Sequence, residues 1–208
     1  MAIAFDATGF AYTAGTTVTL SHTCTGSDRI VFAEVRDASY NPSEDTITGC
    51  TYNGVAMTKL GQIGYTDYDN IYICYLYYLV NPPTGAKNVV ASRTSSKSEI
   101  RLRVSSYTGV KQVAPSNSLF KNNASGSITI TLSSTNANSW ALFSTTSQDY
   151  TGFGTGGTSR QGSFGDSGAI IDDTSYTKTW SGTGKNGVYM VEMEEATATN
   201  TTDFFQLF

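Results

Sequence analysis

Gly165-Asp166-Ser167-Gly168 is the stretch of this chain that looks most like chemistry, because the same tetrapeptide surrounds the nucleophile of chymotrypsin-like proteases. His22 lies upstream, and Asp67 or Asp69 lies between them, so the order His, Asp, Ser is available. The flanking residues argue against it. Ala-Ile follows the tetrapeptide where Gly-Pro would be expected, and His22 sits in Ser-His-Thr-Cys. His22 also falls in register with Val18 and Leu20, which turns it toward a core edge. With 20 glycines in a Ser-rich chain, such a match arises cheaply.

Calcium chemistry needs several hard oxygen ligands at one point. Asp67, Asp69 and Asn70 are clustered, as are Asp37, Asn41, Glu44 and Asp45, and Asp172 with Asp173. None follows an EF-hand pattern, solvated loop carboxylates are the ordinary explanation, and no cofactor or metal is expected. Cys24, Cys50 and Cys74 make an odd count without Cys-x-x-Cys spacing, so they read as small buried thiols. Tyr65, Tyr68, Tyr150 and Tyr176 fall in or beside polar loops, where an aromatic face with Asn and Asp could stack on a sugar. Rim packing of a Tyr-rich sandwich is the competing explanation.

The elements around these residues read as strands. Asn70 to Val80 is apolar or aromatic on both faces, with Ile71, Ile73, Tyr75, Tyr77 and Leu79 opposite Tyr72, Cys74, Leu76, Tyr78 and Val80. Pro82-Pro83 forbids helical continuation, so the spacing predicts a central strand covered on both sides. Asn53-Gly54 between strand-like runs predicts a type I′ hairpin. Alternation recurs at Thr16–Thr23, at Glu99–Val104 and around Ile128, Ile130 and Leu132. Arg29–Arg36 reads as a more fully buried strand, Asp37–Asp45 as a polar loop and Gly152–Gly168 as a long loop. Ile170–Trp180 and Gly187–Glu195 read as closing strands. About ten strands and no sustained helical period predict an all-β, antiparallel β-sandwich in a single domain over residues 1–196. A spacer and a short apolar C-terminal tail follow over 197–208. Phe204, Phe205, Leu207 and Phe208 are costly to leave in water, so the tail either docks on its own sheet or is donated to a partner or a second copy.

Composition limits the partners. Charged residues are 14% of the 208 and the net charge is −4, with no basic run to track a phosphate backbone or anionic lipid, so nucleic acid is excluded. No apolar run reaches the ~20 residues of a membrane span. No signal peptide is evident at Met1–Asp6, so the chain reads as made in a cytoplasm or as a mature product.

Four separated motifs carry a resemblance: Ser21-His22-Thr23-Cys24-Thr25-Gly26-Ser27-Asp28-Arg29-Ile30-Val31, Thr51-Tyr52-Asn53-Gly54-Val55-Ala56-Met57-Thr58, Tyr77-Tyr78-Leu79-Val80-Asn81-Pro82-Pro83-Thr84-Gly85 and Ser106-Tyr107-Thr108-Gly109-Val110. Together they resemble a β-sandwich module found in phage virion structural proteins and in large secreted bacterial proteins. The resemblance covers about residues 2 to 196 and implies a jelly-roll-like fold with a structural or adhesive role. That family has no agreed catalytic residues, so none is carried over. The expectation is a non-enzymatic phage virion protein of the capsid-decorating or fibre type, made in the host cytoplasm and placed on the virion surface. It would form homo-oligomers such as trimers and touch other virion proteins. The alternative is an extracellular adhesion module that binds a cell-surface glycan or receptor.

Overall fold

The computed structural model describes residues 1–39, 47–67, 70–94, 99–123, 126–147, 156–169, 171, 174–182 and 184–197. Among these, sixteen strands and no helix are found. In chain order they are β1 (Ala4–Thr13), β2 (Thr17–Cys24), β3 (Ile30–Ser39), β4 (Ile47–Tyr52), β5 (Val55–Ala56), β6 (Thr58–Asp67), β7 (Asn70–Val80) and β8 (Gly85–Arg93). There follow β9 (Ile100–Thr108), β10 (Ser118–Asn123), β11 (Ile128–Ser133), β12 (Trp140–Ser147), β13 (Thr158–Gln161), β14 (Phe164–Asp166), β15 (Ser175–Trp180) and β16 (Asn186–Met193). Every pairing between them is antiparallel.

The strands build four sheets, and three apolar cores show how these stack. A central sheet, ordered β1-β9-β3-β7-β6, packs one face on the sheet β2-β8-β4-β5. Its other face packs on β10-β16-β12-β14-β13, and that sheet is covered in turn by the ribbon β11-β15. The fold is therefore an all-β sandwich extended to four layers.

β7 explains why the central sheet can be covered twice. Ile73, Tyr75, Tyr77 and Leu79 enter the first core, and Cys74, Leu76, Tyr78 and Val80 enter the second. Such period-two burial on both faces is what a strand with apolar residues at every position must achieve. β16 repeats the logic one layer out, with Tyr189, Val191 and Met193 facing the second core and Val188 and Met190 facing the third. The Asn53-Gly54 turn joins β4 to β5 with positive φ at both residues (51° and 78°), as a type I′ hairpin requires.

Three expectations need correction. Gly152–Gly168 is not a loop throughout, because β13 and β14 form a small hairpin within it. The strand expected from Ile170 begins only at Ser175. Asp37 does not open a polar loop: β3 continues to Ser39, and Asp37 is buried in an ion pair with Arg93.

Candidate functional site

The hairpin β13–β14 seals a set of charges between the central sheet and its neighbour. Glu34 on β3 shares the face of Ile30 and Phe32 and is fully buried. Burial alone would raise its pKa, but the guanidinium groups of Arg36 and Arg103 outweigh that cost and hold it down at about 2. Arg36 Nε donates to Glu34 Oε1 at 2.7 Å, Arg103 Nη1 donates to the same oxygen at 2.9 Å, and the Tyr189 hydroxyl donates to Oε2 at 2.7 Å. Ser163, in the turn of the hairpin, accepts from Arg36 Nη2 at 2.8 Å and from Arg103 Nη1 at 3.2 Å.

Asp166 forms a second buried knot. It accepts from the Tyr107 hydroxyl at 2.8 Å, from Arg160 Nε and Nη2 at 2.6 and 3.0 Å, and from the Gly168 amide at 2.8 Å. Arg160 also lies 4.0 Å over the ring of Phe5. Burial first, and then the Asp166 carboxylate, push the Tyr107 phenol well above its ordinary pKa. The Gly-Asp-Ser-Gly tetrapeptide is thus a structural corner. Ser167 Oγ donates to the Ala169 carbonyl at 2.6 Å and accepts from the Ala141 amide at 3.2 Å.

His22 lies on the opposite side of the central sheet. It is buried on β2, with Nε2 2.9 Å from Ser106 Oγ, and the Ser106 hydroxyl donates to Asp6 at 2.7 Å. Because that serine proton is used on Asp6, His22 must supply the Nε2 proton to Ser106. Burial lowers the His22 pKa, with Asp6 opposing the shift. His22 and Ser167 are therefore separated by the central sheet, and no catalytic triad forms between them.

Cys24, Cys50 and Cys74 are free and buried, and burial pushes the Cys50 thiol up to about 12, which removes its nucleophilic form at neutral pH. Lys178 is buried with its Nζ 4.3 Å over the Phe143 ring and donating to the Gly156 carbonyl at 2.6 Å; burial lowers its pKa to about 8. Among the described residues no three His, Cys, Asp or Glu side chains stand together as metal ligands. The candidate oxygen ligands Asn41, Glu44, Asp45, Asp69, Asp172 and Asp173 lie outside the described residues, as do the side chains of Asp67 and Asn70.

The expected contact residues divide similarly. Tyr68, Tyr150, Phe204, Phe205, Leu207 and Phe208 lie outside the described residues, and so does the side chain of Tyr65. Tyr176 is described and is a packing residue: it is half-buried against the third core, its ring stacked 6.5 Å from Phe143.

Two surface features lie outside the residues expected from the sequence. The first is an aromatic pair on edge strand β1, where Phe10 is 36% and Tyr12 63% exposed, with ring centroids 5.8 Å apart. Arg103 and Arg101 stand opposite them in register on β9, and Arg103 lies 5.8 Å over the Phe10 ring. Alternation at Ala7–Thr13 could have found this pair. The second is a groove of about 320 Å³ lined by Ala2, Ile3, Asn138, Trp140, Ala169 and Glu195. It draws on segments far apart in the chain, so no local pattern announces it.

Gly109 lets these segments meet. It has φ of +67°, and a Cβ there would stand 2.3 Å from the Ala2 carbonyl oxygen. Its own carbonyl accepts from the Ala196 amide at 2.8 Å, Val110 bridges Glu195, and the Met1 nitrogen donates to the Ala196 carbonyl at 2.9 Å.

Comparison with protein-family models, with curated proteins and with solved structures finds no match to this chain.

Proposed function

We propose that this chain is a non-enzymatic structural protein of a phage virion, of the capsid-decorating or fibre type. On this reading it assembles into homo-oligomers and contacts other virion proteins at the particle surface. The observation that carries the proposal is the apolar groove at the place where the chain runs on toward Phe204, Phe205, Leu207 and Phe208. An apolar groove and an apolar segment in one chain suit assembly better than turnover of a small substrate. The non-enzymatic part is supported by the structural hydrogen bonds that occupy Ser167 and His22 on different layers. The resemblance carried by the Ser21–Val31 and Ser106–Val110 motifs points the same way.

Co-sedimentation with the particle tests this function. Binding that falls at least tenfold when residues 203–208 are deleted supports it, and binding that does not change removes the tail from assembly.

A second reading, a glycan- or receptor-binding adhesion module, is favoured by the exposed Phe10–Tyr12 pair beside Arg101 and Arg103. Aromatic faces next to hydrogen-bond donors suit sugar rings. It predicts glycan affinity that Tyr12→Ala abolishes; a chain that binds no glycan on an array sinks it.

A further inference from the structure

The chain leaves the sandwich beside the groove. Glu195 bridges Val110, Ala196 is held by Gly109 and Met1, and Ala2, Ile3 and Glu195 themselves line the groove with Trp140, Ala169 and Asn138. Beyond that exit run Thr197-Ala198-Thr199-Asn200-Thr201-Thr202 and then Asp203-Phe204-Phe205-Gln206-Leu207-Phe208. We propose that the groove is the receptor for residues 203–208 of a second copy of this chain. The inference names the acceptor of the tail contact proposed above and rests on that reading for the tail's role in assembly.

Chemistry and reach both favour this occupant. The lining side chains are mostly apolar, from Ala2, Ile3, Trp140 and Ala169, and match a segment with three Phe and one Leu in six residues. At about 320 Å³ the groove stands at the small end of ligand pockets, roughly 300–1,000 Å³, and suits a few side chains better than a large ligand.

Filling by the same copy would be favoured by an effective concentration on the order of millimolar if the chain could turn back easily. Its spacer opposes that turn. It contains four Thr and one Asn with no Gly or Pro, and β-branched residues favour extended backbone over tight reversal. At roughly 3.3–3.6 Å per residue, an extended spacer carries Phe204 roughly 20–25 Å past Thr197, within reach of a neighbour. Donation from one copy to the next is a head-to-tail contact, which closes into a ring when the rotation between copies allows.

Two variants separate the partners of such a junction. A chain ending at Thr202 keeps the groove and lacks the donor. Ala169→Trp fills the groove from an exposed position and keeps the donor, and Ala2→Trp serves the same purpose if the first fails to fold. Light scattering should find the unaltered chain as an oligomer and each variant alone as a monomer. An equimolar mixture of the two should double in mass, because one donor and one open groove remain to form a single junction.

A mixture that stays monomeric overturns the proposal. So does an unaltered chain that is monomeric with Trp140 emission shielded relative to the shortened chain, which would place the segment in its own groove. If shortening dissolves the oligomer and groove filling does not, the tail keeps its role and the groove loses it. If neither changes the mass, both fall.

Discussion

Glu34 links the central sheet to its inner neighbour through Tyr189. Two guanidinium groups and a phenol converge on its buried carboxylate. Breaking a buried pair leaves uncompensated charge, which typically costs about 3–5 kcal/mol. Glu34→Gln is therefore expected to lower unfolding stability by about that amount in a urea titration, and a change under 1 kcal/mol would contradict the role. The pH dependence has a definite sign. Glu34 titrates at about 2 in the folded chain against an ordinary 4.5, so its contribution is complete above pH 4.5 and is lost as pH falls toward 2. His22 acts in a higher window. Its pKa is lowered by burial, so acid favours the unfolded chain, and stability declines as pH drops below the ordinary 6.5. His22→Gln can still donate toward Ser106 and should flatten the stability profile below the ordinary 6.5. A profile that remains as steep would assign that decline to other groups.

At the scale of elements, Gly109 links β9 to the exit of the chain. A side chain there meets both a left-handed backbone and the Ala2 carbonyl. Gly109→Ala is expected to lose at least about 1–3 kcal/mol, the usual cost of such a conformation for a residue with a Cβ, and an unchanged thermal midpoint would refute the constraint. Elements with strong local signals were legible in the sequence. β7 announced both its covered faces through ten consecutive apolar or aromatic residues, and Asn53-Gly54 announced its turn. The β13–β14 hairpin was not legible, because Thr-Ser-Arg-Gln has no apolar alternation. Its position depends instead on distant partners, with Asp166 bound by Tyr107 and Ser163 by Arg36. Glu34 and Asp166 were hidden for the same reason. Glu34 in a buried strand reads as a liability until the arginines that satisfy it are placed around it. The groove was beyond reach of any window, since Ile3, Trp140 and Ala169 meet only after the sheets have stacked.

At the scale of the whole molecule, several of the described charged and polar side chains hold the layers together. Glu34 and Asp166 tie the central sheet to its inner neighbour, and the His22–Ser106 bond ties it to the β2 sheet. Among the described residues the surface also carries features suited to contact, an exposed aromatic edge on β1 and an apolar groove beside the chain's exit. That distribution is the physical basis for reading the protein as a part to be assembled. The solution mass of the unaltered 22.3 kDa chain at micromolar concentration, by light scattering, tests this most directly. A closed homo-oligomer is predicted, and a stable monomer would contradict assembly as the protein's own property.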